Sequence, residues 1–432
     1  MSEPASSLVG SSTPPGSPPR AGSVRAPLIS RGFRFLLGST VTSALGASIT
    51  GISLSWLVYH YTRSTLDVAY LGLTGIAPGI VLGLLAGVLA DRYNRRRLMV
   101  TSDVVRAVAM TGLSLTLYLV GFSLILILAM MTLVYSFSAL FFPASQAILP
   151  RIVPTGRLED ANGVLTASSQ IGTTLGAGAG GLMIAFVGAV TGLGLNAATY
   201  AISAILLFQI ASDLGQVHPG RGSGARSIRA ELLEGLSYMR HHLPILEVTL
   251  GFLPAGLFFA VVTNFLVVYA SAVLGPNPAL YGYLVATLTA GAAVGALLVG
   301  RLRARRFAGL AMGLGLLATG AGTVLVVFAR GLPLALAGAA VVGLSLGLIG
   351  TTYYATMQAI VPNEVLARVL SIDMVGSLVA VPAGLILGGL LASSRGILFS
   401  YTLAAVAFFA NGLLLLAIPG VRTLRYVETS AA

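Results

Sequence analysis

The chain has 432 residues, of which 56% are hydrophobic and only 9% are charged, against roughly 25% charged residues in an ordinary soluble domain. This composition excludes a water-soluble globular enzyme, whose surface needs far more charge, and a disordered chain, which is poor in apolar residues. The absence of Cys excludes disulfides and thiolate metal sites, and with 4 His and 13 acidic residues we expect neither a metal nor a cofactor.

The first 30 residues form a tail rich in Ser and Pro, which we expect to be disordered. The sequence that follows predicts an all-α integral membrane protein of twelve helices, because one apolar stretch of about 20 residues succeeds another. The predicted spans, numbered 1 to 12 in chain order, are 33–60, 67–90, 98–120, 123–148, 164–187, 189–211, 245–271, 280–300, 307–329, 332–360, 369–393 and 396–418.

Arginine carries all the basic charge of the sequence, and 22 of the 25 Arg lie in the tails, loops and first helical turns on one side of the predicted spans. The other side has only Arg63, Arg330 and Arg395. Because positively charged loops stay in the cytoplasm, this asymmetry predicts a cell-membrane protein with both termini cytoplasmic. The net charge of +12 is therefore an orientation signal, and we expect no binding to nucleic acid.

A long connection, residues 212–244, divides the chain into two six-helix bundles, 31–211 and 245–420, and a cytoplasmic tail follows at 421–432. Apolar residues recur at helical spacing over 227–240, which predicts an amphipathic helix lying on the membrane surface. We therefore expect this connection to be a cytoplasmic linker between the bundles.

The two bundles are predicted to be pseudo-repeats around a central cavity. Gln146-Ala-Ile-Leu-Pro150 recurs 212 positions later as Gln358-Ala-Ile-Val-Pro362, and an Arg-rich turn follows both span 2 and span 8. Parallel repeats of six helices place the substrate path at the interface between them, near the middle of the bilayer.

The segment between spans 2 and 3 reads Gly87-Val-Leu-Ala-Asp91-Arg92-Tyr-Asn94-Arg95-Arg-Arg-Leu. It resembles the signature that the major facilitator superfamily carries at the same place. The family usually has Gly where this chain has Asn94, and we expect a left-handed turn there, which Asn tolerates. The resemblance implies that Gly87, Asp91, Arg92 and Arg95 form a cytoplasmic gate between the two bundles.

Span 5 contains Gly172, Gly176, Gly180 and Gly181. This pattern resembles a Gly-rich motif associated with antiporters of the same superfamily, with Ala177 at the place of its Pro. The resemblance implies export, whereas ordinary close packing of helices through small residues is the alternative explanation.

Segments 102–107 and 149–163 resemble the branch of the superfamily that contains macrolide-efflux and enterobactin exporters. We therefore predict a secondary transporter, not an enzyme, that exports a small amphiphilic molecule, drug-like or siderophore-like, by alternating access as a proton antiporter. An importer of a nutrient or a lipid transporter of the same fold is the alternative. An integral membrane enzyme or receptor would need clustered polar residues at membrane depth, which the sequence lacks.

Ionisable residues inside membrane spans are costly, so those present are candidates for function. Asp103 and Arg106 are three residues apart in span 3 and share a helix face, where they form either a structural pair or a proton relay. Glu247 at the start of span 7 and Asp373 in span 11 have no basic partner at helical spacing in the apolar core. Each is a candidate for proton coupling, or else an interfacial carboxylate.

Polar and aromatic residues within the spans are candidates to line the substrate cavity: Trp56, Gln170, Asn264, Tyr353 and Tyr354. Each of them is also compatible with a helix–helix hydrogen bond or an interfacial anchor. As a group they predict a mostly apolar cavity for an amphiphilic solute. The expected partners are this small molecule, protons and the lipid bilayer, and we expect the chain to be a monomer.

Overall fold

The computed structural model describes residues 30–154, 157–211, 236–301 and 307–422. The tails and most of the predicted linker lie outside these ranges, and so does most of the amphipathic helix predicted over 227–240. Its last residues are described, and 236–241 are helical. Within the described residues, twelve helices are long and apolar enough to cross a membrane, which confirms the predicted number of spans.

In the first half, α1 is Arg31–Thr62, α2 has two segments at Thr65–Thr74 and Ala77–Arg92, α3 is Arg95–Leu119, α4 is Leu124–Ile152, α5 is Leu158–Val187 and α6 is Ala189–Phe208. In the second half, α7 is Leu243–Asn264, α8 is Pro278–Arg301, α9 is Ala308–Phe328, α10 is Leu332–Ile360, α11 is Asn363–Arg395 and α12 is Ile397–Ala417. Large apolar side chains such as Ile125 and Phe186 are almost fully exposed on the outer surface. Such a surface is stable only against lipid.

Two of the predicted spans are not continuous helices. The helix α2 is interrupted at Gly75 and Ile76, because Pro78, in the first turn of the second segment, has no N–H to continue the hydrogen-bond ladder. Beyond Asn264, α7 continues as the short helix Leu266–Tyr269 and a π-helical turn over Ala270–Leu274. Both irregular stretches lie near the interface between the two halves, where such interruptions often accompany function.

Several helices begin at a side-chain cap, which replaces one of the backbone partners that a helix lacks in its first turn. Ser30, Ser64 and Ser123 accept from the backbone N–H three residues later. Asn94 does the same at the start of α3, accepting from the Arg97 N–H at 3.0 Å. Its φ of −57° is not left-handed, so our expectation for this turn was wrong. Asn stands here because it caps a helix well.

The two halves contact each other through α5 with α8 and α2 with α11. These contacts lie towards the end of the bundle where α1 ends at Thr62, which we call the distal end. The other end, where α1 begins and α12 finishes, is the terminal end. At the distal end the Thr65 hydroxyl of α2 donates to the Gly389 carbonyl of α11 at 2.8 Å. A side chain of the first half thus bonds directly to the backbone of the second half.

The buried hydrophobic residues form three clusters, and their distribution separates the two ends of the molecule. The cluster at the distal end contains residues of both halves, for example Leu57 and Tyr269. The two clusters at the terminal end each belong to one half, one around Met99 and the other around Met357. The halves therefore share a core at the distal end and have separate cores at the terminal end.

Close helix packing inside each half follows the repeat in the sequence. A Cβ placed on Gly172 of α5 would lie 2.9 Å from the Val41 carbonyl oxygen of α1. In the second half Gly384 of α11, which is 212 positions later, meets the Leu257 carbonyl oxygen of α7 in the same way. Since only glycine allows this approach, the two positions are structural equivalents in the two repeats.

Candidate substrate pathway

A cavity of 280 Å³ lies between the two halves, bordered by residues of the distal core, and we call it the central cavity. Residues of α1, α2, α4, α7 and α8 line it: Ser48, Gly51, Ile52, Leu54, Ser55, Val68, Leu71, Gly72, Met131, Tyr135, Thr263, Asn264, Tyr281 and Val285. None of these lining residues is charged. The cavity therefore offers apolar surface with separate hydrogen-bonding groups, which suits an uncharged or amphiphilic part of a ligand.

The polar groups of the central cavity come from both halves. The Tyr281 hydroxyl of α8 is hydrogen bonded to Ser55 of α1, which closes one wall of the cavity. Asn264 of α7 donates from Nδ2 to the Ala260 carbonyl at 3.1 Å, which leaves its Oδ1 next to Gly72. Of the predicted cavity residues, Asn264 is the one that the structure places here.

A second cavity, of 300 Å³, lies at the terminal end of the first half between α1, α4 and α5. Its polar lining includes Gln146, Asn162, Ser169 and Gln170, so the structure places the predicted residue Gln170 in a cavity rich in amides. We call it the amide cavity. Its lining residues carry no charge.

A third cavity, of 190 Å³, lies in the second half between α7, α10 and α11. It contains the predicted residues Tyr353 and Asp373 together with the rings of Phe252 and Phe259. The Tyr353 hydroxyl is hydrogen bonded to the Asp373 carboxyl group. We call it the acidic cavity, because Asp373 is the charged residue among those that line it.

The amide and acidic cavities occupy equivalent places in the two repeats. Phe141 and Tyr353 differ by 212 positions, as do Leu165 and Ser377. In each pair the first residue lines the amide cavity and the second lines the acidic cavity. This is the spacing at which the sequence repeats. One fold position has thus acquired amide side chains in the first half and a carboxylate with aromatic rings in the second.

The family of the chain follows from its similarity to known proteins. The sequence model of the family described as transmembrane secretion effector, within the major facilitator superfamily, matches residues 22–429. The chain belongs to this transporter family. The transporter is 28% identical to the multidrug efflux pump Tap of Mycolicibacterium fortuitum over 93% of this chain and 97% of that protein. It is 25% identical to the MFS-type transporter YfiS of Bacillus subtilis over 89% and 93% of the two chains.

Among solved structures, the transporter resembles that of the nucleoside transporter NupG with a TM-score of 0.72. The match covers 89% of this chain and 99% of that chain at 11% sequence identity, which shows a shared fold. The predicted all-α architecture with two six-helix halves is therefore that of a major facilitator superfamily transporter, and the protein is a multi-pass membrane transporter and not an enzyme.

Two predicted cavity residues of the transporter lie outside the three cavities described above. Trp56 is buried in the distal core, where its ring stacks on His60 with centroids 5.9 Å apart. Tyr354 is half exposed and touches Tyr353 edge to face at 5.5 Å. Their aromatic character stood out in the sequence, but residue type alone did not show which face of the helix they occupy.

Asp103 and Arg106 form an ion pair that is buried in the first half, with Asp103 fully inaccessible. The Ser203 hydroxyl of α6 donates to the Asp103 carboxylate, and Arg106 donates to Ser138 of α4 at 3.3 Å. The guanidinium group also lies 4.7 Å from the ring of Tyr200. Every charged group here has hydrogen-bond partners, so the pair fastens α3 to α4 and α6.

Glu247 lies at the terminal end of α7, apart from the three cavities. Its Oε2 atom is next to Gly420 in the short helix Pro419–Arg422. This position brings the start of α7 close to the short helix that follows α12. The carboxylate of Asp373, in contrast, faces a cavity.

The predicted gate lies on the second segment of α2 and the start of α3. The surroundings of Gly87 and the side chain of Asp91 lie outside what the structure describes. Arg92 is exposed, and Arg95 donates from Nη1 to the Ala147 carbonyl of α4, in its own half, at 3.0 Å. This hydrogen bond connects the start of α3 to α4 within the first half.

The polar residues of the central cavity that sequence reasoning did not single out are Ser48, Ser55, Tyr135, Thr263 and Tyr281. Each is one hydroxyl group within an apolar span, and four helices bring them together. The only signal was the repeat, which placed the substrate path between the bundles at mid-membrane depth.

Proposed function

We propose that this transporter exports a small amphiphilic organic molecule, drug-like or siderophore-like, by alternating access as a proton antiporter. The observation that carries the proposal is the asymmetric contact between the two halves. They share a core at the distal end, which borders an uncharged central cavity, and they have separate cores at the terminal end. A transporter with this asymmetry exposes its binding site to one side of the membrane at a time.

The distribution of Arg assigns the two ends to the two sides of the membrane. At the terminal end α1 begins and α12 finishes, and 22 of the 25 Arg belong to the tails, loops and first helical turns on this side, so it is the cytoplasmic end of a cell-membrane protein. The structure then corresponds to a conformation open to the cytoplasm. This is the conformation in which an exporter loads its substrate.

The chemistry of the cavities supports an amphiphilic substrate. The central cavity, at 280 Å³, has the size of a small organic ligand, with apolar walls and hydroxyl or amide groups at separate points. Its lining residues include no Arg for binding a phosphate or carboxylate bidentately. Homology to a multidrug efflux pump over nearly the whole chain agrees with this substrate class.

Asp373 is the best placed of the predicted residues for proton coupling. It faces a cavity at the terminal end, where a carboxylate can exchange a proton with the cytoplasm or with a substrate. Asp103 and Arg106 instead neutralise each other within the first half, and Glu247 lies next to the short helix that follows α12. We assign the gating role to Gly87, Asp91, Arg92 and Arg95, which would meet the second half when the terminal end closes.

The proposal is tested by accumulation assays in a bacterial host that lacks its own exporters. Cells expressing the transporter are expected to retain less of one or more fluorescent amphiphiles than cells carrying the empty vector. A variant with Gly181→Leu, which cannot form the distal contact, serves as the inactive control at matched membrane levels. Greater retention in transporter cells would identify an importer, and equal retention across a broad panel would contradict export of amphiphiles.

A further inference from the structure

The acidic cavity differs from the other two in the charge and in the rings that surround it. Asp373 is the charged group among its lining residues, and the Tyr353 hydroxyl is its hydrogen-bond partner. One hydrogen bond from a phenol does not neutralise a carboxylate inside the apolar part of the protein. The cavity therefore has an unbalanced negative charge whenever Asp373 is ionised.

Aromatic faces surround the same space. The rings of Phe252 and Tyr353 meet at an interplanar angle of 64° with centroids 5.3 Å apart, and Phe259 lines the cavity beside them. Rings set at a large angle to each other present more than one face to a bound group. A quaternary or tertiary ammonium group is attracted to such faces and to a carboxylate, and it needs no hydrogen-bond acceptor in return.

We propose that the acidic cavity is a subsite for the cationic group of the substrate, an organic ammonium ion. The assignment rests on the proposed function, since it names the class of molecule that the transporter carries. Its volume of 190 Å³ takes a head group and not a whole drug-sized molecule. The rest of the substrate lies outside the cavity, towards the space between the two halves.

The equivalent amide cavity differs from the acidic cavity in the chemistry of its lining. Its lining residues provide the amides of Gln146, Asn162 and Gln170 where the second half provides Asp373 and aromatic rings. A molecule that carries a cationic group at one end and neutral hydrogen-bonding groups at the other would find a matching surface on each half. A neutral amphiphile would gain from the amide cavity and have no use for the carboxylate.

The test uses two probes of equal shape that differ only in charge. One is a dansyl-labelled alkyl trimethylammonium ion, and the other is its tert-butyl analogue, in which carbon replaces the charged nitrogen. Binding to the full-length transporter in lipid nanodiscs is measured at neutral pH by fluorescence anisotropy. The wild type is expected to bind the cation about tenfold or more tightly than the neutral probe, as carboxylate and cation–π attraction imply.

Asp373→Asn is expected to remove this difference while the neutral probe binds as before, and Asp373→Glu is expected to retain it. Asp160→Asn removes a carboxylate outside the three cavities and serves as the control. Equal affinity of the wild type for the two probes overturns the assignment, even where the Asn variant fails to fold. An equal loss of affinity for both probes in a folded Asp373→Asn variant also overturns the assignment. Export of neutral amphiphiles by a wild type without cation preference would contradict the subsite and leave the proposed function standing.

Discussion

Gly181 of α5 and Gly282 of α8 pack backbone against backbone between the two halves of the transporter. A Cβ placed on Gly181 would lie 2.5 Å from the Gly282 Cα atom, far inside van der Waals contact. This contact belongs to the distal end, where the halves share a core. Its strength therefore helps to set the balance between the conformation seen here and the one that opens at the distal end.

Replacing Gly181 with Ala is expected to shift this balance towards the conformation open at the distal end. Overpacking a close contact costs about 1–3 kcal/mol, which changes a ratio of two states by roughly 5–150-fold. Gly178→Ala is the matched control, because a Cβ there meets Ala286 at an ordinary 3.5 Å.

The absence of Cys from the sequence makes this shift directly measurable with spin labels on introduced Cys pairs. Thr191→Cys with Ser394→Cys reports on the distal end, and Pro150→Cys with Pro362→Cys reports on the terminal end. In Gly181→Ala the distal distances should lengthen and the terminal distances shorten. Distances identical to those of the Gly178→Ala control would show that the glycine contact does not set the conformational balance.

The packing of α5 on α1 predicts a loss of stability in Gly176→Ala. A Cβ on Gly176 would lie 2.5 Å from the Leu45 carbonyl oxygen, whereas Gly163 on the same helix faces open space. The collision costs about 1–3 kcal/mol, of which the better helix propensity of Ala returns up to about 1 kcal/mol. Gly163→Ala gains the better helix propensity of Ala without a collision.

Thermal unfolding followed by the fluorescence of Trp56, the single Trp of the chain, measures this difference on α1 itself. The melting temperature should fall in Gly176→Ala and stay equal or rise in Gly163→Ala. Equal melting temperatures for the two variants would mean that α1 and α5 do not pack through these glycines.

The buried pair of Asp103 and Arg106 predicts a large loss of stability when one partner is removed. Asp103→Asn leaves an uncompensated buried charge, which costs about 3–5 kcal/mol. Asp160→Asn breaks a partly exposed pair with Arg157 at 3.5 Å and should change stability by less than about 1 kcal/mol. Thermal unfolding of the purified variants gives both values.

A joint replacement separates a structural role of this pair from proton relay. Asp103→Leu combined with Arg106→Met removes both charges and is expected to recover most of the stability lost in the single variant. The double variant should then retain transport driven by a proton gradient. A stable double variant that has lost proton-driven transport would instead make the pair part of the coupling machinery.

Asn264 and Asn411 have different surroundings, and their roles can be distinguished by experiment. Asn264 lines the central cavity, whereas Asn411 of α12 donates to the Gly251 carbonyl of α7 at 2.7 Å. Loss of one ligand hydrogen bond in Asn264→Ala should raise the KM for a transported amphiphile by about tenfold at unchanged melting temperature. Asn411→Ala should lower the melting temperature and leave KM unchanged. The reverse pattern in transport and unfolding assays would contradict the position of the substrate site.

The number of membrane helices was predictable because a bilayer demands about 20 apolar residues per span. The interruption of α2 was not predicted, although Pro78 was visible in the sequence, since Pro is tolerated inside membrane helices when neighbouring helices satisfy the freed carbonyl groups. Asn94 showed a similar ambiguity, because the same residue type suits a left-handed turn and a helix cap. Sequence alone does not choose between two local conformations of comparable energy.

The cavities were predictable only in part. Asp373 was identified because a carboxylate in an apolar span is costly and therefore conspicuous. Tyr281 and Ser55 were not, since a single hydroxyl within an apolar span gives no pattern, and a Ser hydroxyl in a helix can bond to its own preceding turn. Their hydrogen bond across the two halves depends on how α8 lies against α1, which is a property of the assembled bundle.

Proton-driven export is tested most directly in vesicles that contain the purified transporter and a permanently charged amphiphile, whose distribution does not follow pH by itself. The account predicts that an acidic interior drives the amphiphile into the vesicles against its own gradient. It also predicts that a protonophore abolishes the uptake and that protein-free vesicles show none. Flux that ignores the imposed pH gradient, or amphiphile that moves in the same direction as the protons, would contradict proton antiport.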